Sequence, residues 1–174
     1  MTEPNAVVYP LVVYSTDFRW TGETPVPSHR RLSDFLNDRT LLAFVLHHVI
    51  PATWENNLWR EGQKIESLAL LKRNIAMIVP GANSPPPPPA PLDRVRKAPT
   101  HVIIHLPSFT VEGDLNLLYG ADWLHVVTSA PEDFFPVTKA GVWHTKTRTQ
   151  LETGVKFMLV NRQGILGFEV SKNP

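Results

Sequence analysis

The segment Phe109-Thr110-Val111-Glu112-Gly113-Asp114-Leu115-Asn116-Leu117 places apolar or small residues at odd positions and polar residues at even ones. Successive side chains of an extended chain point to opposite faces, so this period of two predicts a half-buried strand. Phe18-Arg19-Trp20-Thr21-Gly22-Glu23-Thr24-Pro25-Val26 alternates in the same phase. Gly22 and Gly113 hold the same place in the two runs, and a mid-strand glycine marks a bulge, a bend or a close backbone approach. β-rich runs at residues 11–14 and 102–105 come just before, with turn residues at Asp17 and Pro107-Ser108. Each half is therefore expected to open with a hairpin, with Trp20 and Trp123 in the core.

Further along, Ser33 or Asp34 is expected to cap a short helical turn that sends Leu32, Phe35 and Leu36 inward. Residues 41–50 would read as a helix if taken alone. Their counterpart, residues 134–140, contains Pro136, which would break a helix, so both stretches are expected to be extended. Each half ends on two apolar runs, 67–71 then 75–79 and 155–160 then 165–170. The turns Lys72-Arg73-Asn74 and Asn161-Arg162-Gln163-Gly164 predict a closing hairpin in each.

An offset of 91 residues aligns the halves without a gap from Leu11 to Leu46. It matches Phe18 with Phe109, Gly22 with Gly113 and Phe44 with Phe135. An offset of 89 matches Trp54 with Trp143, and Leu70-Leu71-Lys72-Arg73 with Leu159-Val160-Asn161-Arg162. The shared order of features points to an internal duplication. The expected fold is mainly β: two similar small antiparallel β-barrel units of Sm/SH3-like type joined by a proline-rich linker. Closing a small sheet into a barrel hides edges that would otherwise be exposed.

Proline is the compositional outlier, with 17 among 174 residues. The run Ser84-Pro85-Pro86-Pro87-Pro88-Pro89-Ala90-Pro91 has almost no amide donors and a fixed φ, which excludes it from helix interiors and central strands. At about 3.1 Å per residue, residues 85–91 would reach roughly 20 Å as a spacer. A PxxP ligand for an aromatic groove is the alternative use. The expected organisation is a first unit at 1–80, a linker at 81–99 and a second unit at 100–174. Residues 1–80 hold eight basic and eight acidic side chains, and residues 100–174 six and seven.

The element Arg31-Leu32-Ser33-Asp34-Phe35-Leu36-Asn37 and the turn Val160-Asn161-Arg162 resemble those of an uncharacterised bacterial domain family. That family pairs R-L-S-D-x-L-N with a V-N-R turn before a closing strand. The resemblance implies a fold and no activity. In the second half the first element is altered to Ala121-Asp122-Trp123-Leu124-His125, and in the first half the turn reads Leu71-Lys72-Arg73. The chain is also distantly similar to Sm-like proteins, which have a strand glycine followed by D-x-x-N and an arginine turn before the last strand. The matching positions are Gly22, Asp34, Asn37 and Arg73, and then Gly113, Asp122 and Arg162, with His125 in place of the asparagine. The similarity implies RNA contacts at Asn37, Arg73, Asn161 and Arg162. The glycine-to-aspartate spacing is longer here and the R-G pair is not intact, so the barrel analogy carries further than the RNA one.

Cysteine is absent, which removes disulfides, thiolate catalysis and cysteine-ligated metals. A net charge of +1 provides no general attraction to nucleic acid or membrane. No phosphate-loop, dinucleotide or nucleophile-elbow motif is present. His47 and His48 are adjacent and would face opposite ways on a strand, while His101 and His105 share a face about 13 Å apart. His29, His125 and His144 are dispersed, so no metal or other cofactor is expected. Glu132-Asp133 reads as helix-start charge rather than an acid–base pair. Thr145-Lys146-Thr147-Arg148-Thr149 reads as a solvated hairpin tip. Trp54, Trp59 and Arg60 lie in a polar segment that a small barrel has little room to bury, and tryptophan with arginine is enriched at interface hot spots, so they are expected either to contact a protein partner or to bury the tryptophans under their own loop. The reading is a non-catalytic binding or scaffolding protein, an accessory subunit that meets a protein partner in a larger assembly, with Sm-like RNA binding as the alternative. No DNA partner is expected. Without a basic n-region or an apolar run of spanning length, the expectation is a soluble cytoplasmic chain with no direct membrane insertion.

Overall fold

The computed structural model describes residues 5–86, 97–118, 122–129 and 131–170. Residues 87–96 of the expected linker, Ala121 and the side chain of Trp123 lie outside the described residues. The chain divides into two compact units, Met1–Pro88 and Pro89–Pro174. Both are mainly β, with antiparallel pairing.

Unit 1 contains β1 (Ala6–Tyr14), β2 (Phe18–Pro27), α1 (Leu32–Leu36), β3 (Ala43–Glu55), β4 (Leu58–Glu61), β5 (Ile65–Leu71) and β6 (Met77–Pro80). Strand β1 pairs with β6 and β2, and β2 pairs with β3. The first half of β3 then pairs with β5 and its second half with β4. Unit 2 contains β7 (Lys97–His105), β8 (Phe109–Leu118), α2 (Trp123–Ser129), β9 (Phe134–His144), β10 (Gln150–Asn161) and β11 (Gly167–Val170). Its ladder runs β11-β7-β8-β9-β10. Among the described residues no ladder joins β6 to β4 or β5, or β11 to β10, so hydrogen bonding does not close either path. Strand β7 starts at Lys97, inside the stretch expected to be linker.

The units share an order of elements. Ala6 and Lys97, Phe18 and Phe109, Leu32 and Trp123, and Ala43 and Phe134 each begin equivalent elements 91 residues apart. The mid-strand glycines face matching irregularities. In unit 1, Thr21 pairs with Ile50 and Glu23 with His47, so His48 and Val49 oppose Gly22. In unit 2, Glu112 pairs with Gly141 and Asp114 with Thr138, so Lys139 and Ala140 oppose Gly113. His48 and Lys139 adopt φ of 53° and 50°, the left-handed conformation that carries the extra residue of a bulge. A side chain at Gly22 would meet His47 O at 2.8 Å, and one at Gly113 would meet Val137 Cγ1 at 2.7 Å. The glycines are there because the bulged strand comes too close for a Cβ.

Several expectations need correction. Arg31, not Ser33 or Asp34, is the N-cap of α1, and no side chain bonds there. The closing segments are not hairpins. A 3₁₀ turn at Lys72–Asn74 carries the chain from β5, on β3, to β6, on β1, and one at Arg162–Gly164 carries it from β10 to β11. A three-residue 3₁₀ turn redirects the chain instead of folding it back on itself. These turns correspond at an offset of 90, not 89: Ile75 N–H bonds Lys72 O, and Ile165 N–H bonds Arg162 O. Glu132 and Asp133 lie between α2 and β9, not at a helix start.

The core of unit 1 is built from Leu11, Val13, Val26, Leu36, Leu46 and Met77, and that of unit 2 from Ile104, Phe109, Val111, Phe134, Val142 and Met158. In β8 every odd residue from Phe109 to Leu117 is buried, as the alternation predicts. In β2 the pattern holds for Gly22, Thr24 and Val26 but fails at its start, where Phe18 is 44% exposed and Trp20 only half-buried.

Candidate functional site

Trp54 and Trp59 face each other across the β3–β4 hairpin, whose turn residues Asn56 and Asn57 have φ of 52° and 66°. Two consecutive left-handed residues match the twist of the flanking strands. The register puts Arg19, Ala52 and Glu61 in one row, with Trp54 and Trp59 on the same face. The two indoles meet edge to face at 5.0 Å, and Trp59 meets Tyr14 at 5.9 Å. The Arg19 guanidinium lies 5.4 Å over the Trp59 ring and 3.4 Å from Glu61. Both tryptophans are half-buried under their own hairpin, and the Trp59 indole N–H is buried without a hydrogen-bond partner. Arg60 points to the other face and pairs with Glu55 at 3.2 Å. That pair is exposed and contributes little.

A different surface of unit 1 is the more open one. Phe18 and Trp20 stack at 5.6 Å with their planes 13° apart. They line an apolar groove of about 340 Å³ together with Pro51, Ile65, Leu70 and Ile75. Ile65 and the adjoining Leu71 are 40% and 43% exposed. In unit 2 the equivalents of Phe18 and Trp20, Phe109 and Val111, are fully buried. The partner of the third strand also differs between the units. In unit 2 the single strand β10 accompanies β9 from Trp143 to Phe134. In unit 1 the same span is split between β4 and β5, and of residues 62–64 between them Gly62 donates its N–H to Pro51 O at 2.7 Å. The alternation of β2 assigned Phe18 and Trp20 to the core. The local alternation of β2 held no signal against that assignment, because cover depends on residues distant in sequence.

Asn37 is the C-cap of α1 and Arg73 an exposed residue of the first 3₁₀ turn. Their neighbours join the two elements: the buried Lys72 donates from Nζ to Asp38 O at 3.1 Å. Asp38 accepts from the Thr40 hydroxyl and from Arg30, which together hold its carboxyl down at about 2. In unit 2, Asn161 is buried and its side chain caps the second 3₁₀ turn by accepting from Gln163 N. Arg162 reaches the end of α2, donating to Thr128 O at 3.3 Å. Lys72 and Arg162, rather than Arg73 and Arg162, are therefore the equivalent pair.

The histidines scatter except on β7, where His101 lies between Glu112 and Asp114 and His105 meets Glu169 at 2.7 Å. Among the described residues no three acidic or histidine side chains converge to hold a metal ion. No described helix is long and apolar enough to cross a membrane. Comparison with protein-family models, curated proteins and solved structures finds no match.

Proposed function

We propose that the chain is a non-catalytic binding subunit that docks a protein partner on unit 1, through the groove flanked by Phe18 and Trp20. The observation that carries this reading is the partly exposed aromatic stack beside an apolar groove, at positions that unit 2 buries. Stacked aromatic rings above an apolar floor are rigid anchors for a partner's side chains, and such residues dominate interface energies. In this reading the units descend from one duplicated, Sm-like curled sheet. The shared bulge opposite glycine and the shared 3₁₀ turn support it. The proline-rich stretch acts as a spacer, and the protein works in the cytoplasm, where a chain without cysteine has no need of an oxidising compartment. Trp54 and Trp59 pack on the opposite face from Phe18, and Arg60 lies on the groove face, in one row with Phe18 and Thr53.

The test is affinity purification of the full chain from native lysate, with nuclease-treated and untreated samples compared. A defined protein is expected to be retained by the wild type and lost with Phe18→Glu, whose thermal midpoint should fall only modestly because nearly half of the residue is already in solvent. Retention by Phe18→Glu rejects the groove. Retention that disappears with nuclease and falls steeply with salt would assign RNA to the chain instead, with Arg73 the first residue to replace.

A further inference from the structure

Strand β7 carries His101 on a face shared with two acids of β8. Its Nδ1 lies 3.2 Å from Asp114 Oδ1, and its Nε2 lies 3.1 Å from Glu112 Oε1. The register produces this arrangement: His101 sits directly opposite Asp114, and Glu112 is two residues along β8 on the same face. A neutral imidazole has one N–H, so its second nitrogen would turn a lone pair toward a carboxylate oxygen. Only the imidazolium donates to both. Bonds between that cation and two carboxylates are charge-assisted and stronger than neutral ones.

We propose that His101 is a proton-operated clasp: protonated, it ties β7 to β8 through Glu112 and Asp114, and neutral, it releases one carboxylate and loosens β7. The surrounding charges are few. Lys139 of β9 takes the other Asp114 oxygen at 3.4 Å. On the far side of β7, Glu169 of β11 is engaged by His105. Lys97, at the start of β7, lies on the same face and is exposed. Unit 1 has no such device, since the position opposite Glu23 is Pro10, and Thr21 stands where unit 2 has Glu112.

The hydrogen bond to Asp114, helped by the one to Glu112, holds the His101 pKa above its ordinary value against the opposing effect of partial burial. A histidine raised in the folded state stabilises fully below its ordinary pKa, and this contribution disappears as pH rises through the raised value. His144, which burial pushes the other way, lies at the β9–β10 tip, so a readout confined to β7 separates the two.

The experiment is amide hydrogen exchange on the full chain from mildly acidic to mildly alkaline pH, corrected for intrinsic exchange. It compares residues 97–105 with residues 6–14 of β1 in the wild type and in His101→Gln. In the wild type, β7 should lose protection several-fold relative to β1 as pH rises, while in His101→Gln the ratio should be flat and low. An NMR titration of the His101 ring should place its midpoint above the usual value of about 6.5. The clasp is overturned if β7 and β1 keep a constant ratio in the wild type, or if the ring titrates at or below the usual value. If His101→Gln does not fold, the two wild-type measurements decide the matter.

Discussion

A methyl group at Gly113 would lie 2.7 Å from Val137 Cγ1 and 2.9 Å from Thr138 O, so neighbouring backbone would have to move. Gly113→Ala should therefore cost about 2 kcal/mol, as overpacking does in a tight interior, which urea unfolding would measure. His144 is a second residue whose environment decides its chemistry. It is buried at the end of β9, packs edge to face on Phe109 at 6.3 Å, and lies with Nδ1 3.1 Å from Thr147 Oγ1 and 3.4 Å from Thr147 N. Burial, with Lys146 adding to it, lowers its pKa. A histidine lowered in the folded state favours folding above its ordinary pKa, and that contribution is lost as pH falls through the lowered value. Protonation would also remove the acceptor of the Thr147 amide. Exchange at residues 145–149 is therefore expected to rise on acidification. The opposite response at β7 would come from the same molecule.

Among elements, the bulged third strand organises each unit. Strand β3 changes partner just past the bulge, pairing with β5 as far as Val49 and with β4 from Ala52. His48 is exposed and left-handed, a conformation that costs a residue with a Cβ roughly 1–2 kcal/mol. Since little packing would be lost, His48→Gly is expected to stabilise unit 1 by about 1 kcal/mol, read as a higher thermal midpoint. A fall would mean that the imidazole has a contact in solution that outweighs the backbone cost. The 3₁₀ turns are equally telling. Lys72 and Arg162 each reach back to a carbonyl at or just beyond the end of the preceding helix, so a basic residue at that position ties helix to turn in both units.

For the molecule as a whole, equivalent positions do not carry equal weight. Phe18 and Phe109 begin equivalent strands, yet one is 44% exposed and the other fully buried. Phe109→Ala is expected to cost about 3–5 kcal/mol, the range for truncating a buried aromatic ring. Phe18→Ala should cost only about 1 kcal/mol, chiefly its stack on Trp20, because nearly half of the residue is in solvent. Denaturant unfolding of the two variants checks the difference. Equal costs would mean that Phe18 is covered in solution and the groove closed.

The alternation of β8, the two mid-strand glycines and the equivalence of the first half of each unit were legible in the sequence, because a two-residue period and a missing Cβ are local properties. Residues 41–50 were legible only through their counterpart, whose proline forbids a helix. The closing turns misled: two apolar runs around polar residues look alike whether the second run folds back on the first or crosses to β1. The exposure of Phe18 and Trp20, and the meeting of His101 with two acids, depended on which strand lies beside which. Chain order determined the strands and where they bend. Only the assembled sheets decided which apolar side chains are covered and which charges meet, because cover and contact come from residues distant in sequence.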